Sequence, residues 1–280
     1  MISQSDVITS AFSSPQLQGF LSNIDYRIAR TRQEMESSFG LVYKEYLKRG
    51  YVNEHPSQLR VTMYNALPQA ATFVAVCKDE IVSTATLVPD SPLFLPMDEI
   101  YHEELNQLRA KGLKLCEITM LASNTELYRD GISLMLNAKK MFFIFLLFKT
   151  IFDYAKNVLG LDCICITVNP KHSLTYNFLL FKDIGGLKTY SNANGAPAVA
   201  KYLNLTTSEE DCKKAHKEGL YRMFFGKNTP AEKFSGKFEY SPEDLKYFFA
   251  EKSDVFKTSP AEKLDYIKQC YHSLDFKNII

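Results

Sequence analysis

The 280-residue chain has no tryptophan, no surplus of either charge and no long apolar run, and each absence removes a class of function. Lys plus Arg number 33 against 32 Asp plus Glu, a net charge of +1. That excludes the basic excess by which a general nucleic-acid binder shows itself. The longest uninterrupted apolar stretch, Met141–Phe148, is eight residues framed by Lys139, Lys140 and Lys149. A membrane-spanning helix needs about 20 such residues, so no stable span is expected. The first basic residue is Arg27, which gives no charged start for a signal peptide. No Cys-x-x-Cys pair or histidine cluster suggests zinc, and no metal site is expected. Of the six cysteines, Cys163 and Cys165 lie two apart on a strand-like run, on the same side of it, and are poor disulfide partners. The expectation is a reduced, cytoplasmic protein.

What is present is ordinary in amount, with 46% apolar and 23% charged residues, and this excludes wholesale disorder. Residues 1–23 are polar and rich in Ser and Gln, and read as a loose arm. From Ile24 the pattern becomes regular. Ile24–Arg30 alternates as a strand, and Glu34–Lys48 carries Phe39, Val42, Tyr43, Tyr46 and Leu47 at helical spacing. Thr72–Val76 and Ile81–Val88 flank a polar turn and predict a hairpin. A Pro-rich loop, Pro89–Pro96, leads to a helix from about Asp98 to Lys111 with acids at its start. Leu113–Ala122 predicts a strand, Ile132–Leu159 a long, mostly buried helix and Asp162–Val168 a strand. A helix after Pro170 and closing strands near Leu187–Tyr190 and Tyr202–Leu205 complete the unit, which spans 24–206. Residues 207–280 read as a helical extension. Thr229-Pro230, Ser241-Pro242 and Ser259-Pro260 each precede an acid in the pattern of a helix start.

Four runs in register resemble the long-chain N-acyl amino acid synthases of the FeeM type. These belong to the GCN5-related N-acyltransferase superfamily and are related to acyl-homoserine lactone synthases. The runs are Leu41-Val42-Tyr43-Lys44-Glu45-Tyr46 with Arg49-Gly50-Tyr51; Asp90–Asp98 with Ile100-Tyr101 and Leu108-Arg109; Cys116–Ala122; and Val168-Asn169-Pro170-Lys171-His172 with Tyr176 and Gly195–Val199. The resemblance covers about 24–205. One departure is Phe94, where the family commonly has Gly, so a different loop backbone is expected there.

The resemblance implies an α/β fold with a mixed, mostly antiparallel sheet flanked by helices. It also implies transfer of a long acyl chain, usually from acyl carrier protein, to the α-amine of an amino acid. Such chemistry must take a proton from an ammonium, hold an oxyanion and protonate a leaving thiolate. Glu117 stands in the otherwise apolar run Leu115–Leu121, where a carboxylate is costly unless it faces a pocket or a partner. It matches the family's strand glutamate, placed to accept the amine's proton. The alternative is a solvent-facing residue on an edge strand. Tyr176 matches the tyrosine that many relatives use to protonate sulfur, or else packs against the sheet. His172 is a candidate for contact with a phosphopantetheine or for relaying a proton, and helix capping is its simpler role. Asn169 is suited to orient its turn by side-chain hydrogen bonds. Backbone amides at Thr119, Met120 and Leu121 are the expected oxyanion site, freed by a bend in the strand. Ser123 closes the substrate-binding set at the strand's end.

Acetyl-CoA users carry a Gly-rich loop after that strand, and the run Asn124–Ser133 is not that loop. This favours acyl carrier protein as donor over CoA, with no resident cofactor. Carrier proteins are acidic, and Arg109, Lys111, Lys114, Lys139 and Lys140 are candidates for a docking face. Lactone synthesis is disfavoured, because Met120 and Thr86 occupy positions of its cation-binding set and Val52–Ala66 has Glu54 but no Asp. Two other functions stay open: a short-chain acyl-CoA-dependent N-acetyltransferase, and a non-catalytic lipid- or partner-binding member. The Phe-rich stretch Met141–Phe152 reads as core before it reads as an acyl tunnel.

Overall fold

The computed structural model describes residues 23–124 and 144–280. The arm before Asn23, the first half of the Ile132–Leu159 helix, the run after Asn124 and Lys139 and Lys140 lie outside the described residues.

Strand β1 (Ile24–Ile28) leads into helix α1 (Arg32–Leu47), whose N-cap Thr31 accepts the Glu34 amide through its hydroxyl. This is the hydroxyl cap that satisfies one orphan donor of a first turn. Strands β2 (Ala71–Cys77) and β3 (Glu80–Pro89) form the predicted hairpin. Its two central residues, Lys78 and Asp79, both have positive φ, which gives the twist a two-residue turn needs. Helix α2 (Asp98–Arg109), strand β4 (Leu115–Ser123), a helix α3 over 144–153 running into a π turn at Tyr154–Val158, and strand β5 (Cys163–Val168) follow. A 3-10 turn at Pro170–His172 enters helix α4 (Ser173–Phe178), and strands β6 (Lys182–Asp183), β7 (Lys188–Tyr190) and β8 (Ala196–Asn204) close the unit.

The eight strands form one sheet in the order β1-β2-β3-β4-β5-β8-β6, with β7 on β8. Among the described pairings only β4 and β5 run parallel. This is the mixed, mostly antiparallel α/β architecture expected. Strand β8 is longer than the Tyr202–Leu205 segment read from sequence. Its first part, Ala196–Ala198, pairs with the edge strand β7, a position that tolerates Pro197 and hides the strand pattern.

Two features of β4 shape the site. Its ladder with β5 ends at Glu117 opposite Cys165, and beyond that point the two strands diverge. On its other side, Thr86 faces Thr119 while Thr84 faces Ala122, so β4 carries an extra residue there. That residue is Met120, at φ +54. The bulge changes which face the alternation addresses. Cys116 and Ile118 pack with Phe145 and Phe148 of α3, whereas Met120 and Ala122 pack with Phe39 and Val42 of α1. The expected bend in the strand is therefore present. Cys163 and Cys165 lie side by side on the α2 face, as their spacing predicts, and all six cysteines are free.

The C-terminal extension contains α5 (Ser208–Lys214), α6 (Glu218–Phe225), α7 (Pro242–Lys246) with a π turn at Tyr247–Glu251, α8 (Val255–Thr258) and α9 (Ala261–Cys270). Of the three proline-marked starts, Ser241 forms the full capping box with Asp244. Pro260 sits at the N-cap of α9, and Thr229-Pro230 opens only the short turn Ala231–Lys233. The extension's Phe248, Phe249 and Phe256 are buried with Phe39, Val42 and Met63 in one core. Lys149 and Asp153, which read as a polar stripe on α3, are buried and paired, and Asp153 also accepts the Thr229 amide at 2.6 Å.

Candidate active site

The divergence of β4 and β5 opens into a cavity of roughly 880 Å³. Of the site residues read from sequence, Glu117, Thr119, Met120, Leu121, Asn169 and Tyr176 all line it. His172 and Ser123 are not among its lining residues. His172 is exposed on the 3-10 turn, where its backbone amide bonds Asn169 O at 2.9 Å and its ring makes no capping bond. Ser123 is buried, its hydroxyl 2.7 Å from that of Ser83, and ties β4 to β3.

Glu117 is 2% exposed and accepts the Met97 amide at 2.8 Å. Burial pushes its carboxyl up to about 8; the Met97 amide works against this and the charge of Asp98 adds to it. The amide is supplied by the Pro-rich loop, which a charge network holds in place. Arg109 donates from Nε and Nη2 to Asp90 at 2.6 and 3.0 Å, and to both oxygens of Asp98 at 2.7 and 2.6 Å. Arg109 is thus engaged inside the fold and is no free member of a docking face. Lys111 and Lys114 are exposed.

The same loop carries Phe94 at φ +60. The backbone takes the left-handed turn that glycine favours. Its ring, 45% exposed, meets His102 edge-on at 5.1 Å and the Arg109 guanidinium at 5.2 Å. A left-handed non-glycine costs about 1–2 kcal/mol, and an exposed cation–π contact returns about 0.5–1. Phe94→Ala, which keeps the strain and loses the ring, is expected to melt lower than the wild type. Phe94→Gly is expected to melt within about 3 °C of it. Thermal unfolding of both variants checks the ranking.

Tyr176 packs edge-on against Phe148 at 5.9 Å and Phe181 at 5.8 Å, and burial raises its phenol, keeping it a hydrogen-bond donor. Asn169 accepts the Lys171 amide at 3.2 Å and donates to the Tyr51 hydroxyl at 3.3 Å, so it does orient the turn. Tyr46, Tyr51, Tyr64 and Tyr190 also line the cavity. Burial raises Tyr46 to about 12, and raises Tyr64 and Tyr190 further; the charge of Glu117 acts on all three. Tyr46 and Tyr51 belong to the first run of the family resemblance, whereas nothing local in the sequence marks Tyr64, Tyr190 or Arg60 as cavity residues.

The cavity therefore has an apolar wall, from Ile118, Leu121, Phe148, Ile166 and Val168, and a wall of tyrosine hydroxyls and charged groups around Glu117. Among the described residues no cluster of His, Cys, Asp or Glu could hold a metal ion, and no helix is long and apolar enough to cross a membrane.

Comparison with known proteins agrees with this fold. The model of the N-acyl amino acid synthase FeeM family matches residues 37–204. The structure of FeeM, an N-acyl amino acid synthase from uncultured soil microbes, is similar at 28% identity and a TM-score of 0.55, over 67% of this chain and 94% of that one. The acyl-homoserine lactone synthase LasI shares the fold at 11% identity and a TM-score of 0.51, over 74% of this chain and 97% of that one. No curated protein matches. The chain belongs to the FeeM N-acyl amino acid synthase family, and is an N-acyltransferase of the GCN5-related fold.

Proposed function

We propose that the enzyme transfers a long-chain acyl group from an acyl carrier protein thioester to the α-amine of an amino acid. The observation that carries this reading is the placing of Glu117 and Tyr176 in one cavity, at the point where β4 and β5 part. Glu117 takes a proton from the acceptor's ammonium, and a carboxyl raised to about 8 is matched to that task near neutral pH. The free amine attacks the thioester carbonyl, forming the C–N bond and a tetrahedral oxyanion. Backbone amides within Thr119–Leu121, the stretch of β4 beyond its last pairing with β5, hold the oxyanion. The C–S bond then breaks, sulfur keeps the electron pair, and the second amine proton goes to the thiolate. Tyr176 donates a hydrogen bond to that sulfur. Its burial favours donation and makes full ionisation costly. The apolar wall suits an acyl chain, and the tyrosine-lined wall suits a zwitterion.

Mass spectrometry of lipid extracts from a bacterial host expressing the chain tests the reaction. New N-acyl amino acids are expected, and their masses give acceptor and chain length. Purified enzyme offered acyl carrier protein and CoA thioesters separately tests the donor. Faster turnover with the carrier protein is expected, and turnover with CoA alone would overturn that choice. Folded protein that acylates no standard amino acid from either donor would overturn the whole reading.

A further inference from the structure

The cavity's lining does not stop at the residues that carry the family match. Beyond them, at the corner between α8 and α9, Val255, Thr258, Ser259, Pro260 and Lys263 of the extension also line it. We propose that the extension builds the acceptor end of the cleft, and that Lys263 is a specificity-determining residue that binds the acceptor's carboxylate. This rests on the reading of the acceptor as an amino acid.

The corner is held firmly. Phe248, Phe249 and Phe256 on one side and Ile267, Phe276 and Ile279 on the other are buried in the core shared with α1. The Tyr271 hydroxyl donates to Ala66 O at 2.9 Å, pinning the extension to the turn that carries Met63 and Tyr64. The corner is thus part of a rigid wall, and a group on it can be placed well enough to discriminate between ligands.

Its position is on the acceptor side. The Lys263 ammonium lies 6.0 Å from the centre of the Tyr64 ring, and the Tyr64 phenol is raised, after burial, by the charges of Glu117, Asp98 and Glu99. Tyr64 therefore neighbours Lys263 and also feels the charge of Glu117, the group proposed to take the ammonium's proton. An amino acid acceptor is a zwitterion, and the cavity's lining offers it the Glu117 carboxyl for one pole and the Lys263 ammonium for the other. The apolar wall for the acyl chain is formed by other elements, β4, β5 and α3.

Lys263 also differs from its neighbours. Lys257 pairs with Asp254 and Lys268 with Asp265, each three residues back along the chain. Among the described residues no acid pairs with Lys263, which is half-buried at the cavity. An ammonium on a four-carbon stem can reach a carboxylate there and release it without disturbing an existing ion pair.

The test is steady-state kinetics of Lys263→Met and Lys263→Arg, with the preferred amino acid and with its α-amide as acceptors. A charge-assisted hydrogen bond is worth roughly 10- to 100-fold in affinity. Lys263→Met should raise the acceptor KM by at least about tenfold, leave the donor KM unchanged, and leave the KM for the amide unchanged. Lys263→Arg should restore most of the acceptor affinity. An acceptor KM within about twofold of wild type in Lys263→Met, or an equal loss with the amide, overturns the proposal while wild-type turnover still supports the reaction. Wild-type enzyme that acylates no amino acid overturns both.

Discussion

Glu117→Gln is expected to lower kcat/KM by at least about 100-fold, the low end of what a positioned general base contributes, and to leave the fold intact. The structural part of this expectation follows from the one hydrogen bond the carboxyl makes among the described residues. Met97 donates its amide to Oε2 at 2.8 Å, and a glutamine carbonyl oxygen can accept the same bond in the same volume. What glutamine cannot do is take a proton from an ammonium. The wild-type profile of kcat/KM should therefore rise with pH towards a plateau above about 8, where the buried carboxyl is ionised, and the variant should lack that rise. Stability should move in the opposite sense. The folded carboxyl ionises at about 8, against 4.5 for the ordinary group. Below 4.5 both folded and unfolded chains hold the proton. As pH rises through this window the unfolded chain releases it first, so stability is lost until the folded carboxyl ionises too. Each pKa unit is worth about 1.4 kcal/mol, so the loss is a few kcal/mol. Glutamine has no such linkage, and Glu117→Gln should melt progressively higher than wild type between pH 5 and pH 8. Calorimetry across that range, together with initial rates, checks both halves. A variant with near-normal rates, or one that melts lower throughout, would remove Glu117 from the base position.

Much of this site was legible because its chemistry contradicts its surroundings. A carboxylate inside Leu115–Leu121 breaks the pattern of a buried strand, and the structure resolves the contradiction with one backbone amide and a cavity. The order of strands and helices was equally legible, because β2, β3, β4 and β5 are apolar runs of strand length. The rest was hidden for identifiable reasons. The bulge at Met120 could be expected from the chemistry but not from the residue, since methionine seldom adopts a left-handed φ. Arg109 read as a surface cation because its partners, Asp90 and Asp98, lie 19 and 11 residues away. Tyr64 and Tyr190 reach the cavity from two separate elements far apart in the chain, and no local pattern marks such a meeting. The extension's place in the cleft depends on tertiary packing alone.

That packing carries the other large effect. Phe248→Ala is expected to lower stability by about 3–5 kcal/mol, the usual range for deleting a buried phenyl ring. The ring is fully buried and meets Phe39 of α1 edge-on at 5.4 Å, with Tyr247 at 5.1 Å and Tyr240 at 6.0 Å. Such edge contacts add about 0.5–1.5 kcal/mol each to the burial itself, and alanine leaves a cavity that Phe39 and Phe249 cannot both collapse into. For a chain of this size the loss corresponds to a fall of about 10 °C in Tm. The form of the transition matters as much as its midpoint. If the extension were an independent unit, the variant would show an early, separate step, with the catalytic sheet melting at its original temperature. The shared core argues for one cooperative transition shifted as a whole, because removing the extension would uncover Phe39, Val42 and Met63 on α1 and its following turn. Cavity residues Val255–Lys263 ride on the same packing, so acylation should disappear in step with the melt. A variant that keeps an unshifted main transition and loses only acceptor affinity would make the extension a separately folding lid. A lower single transition would make it a wall of the enzyme.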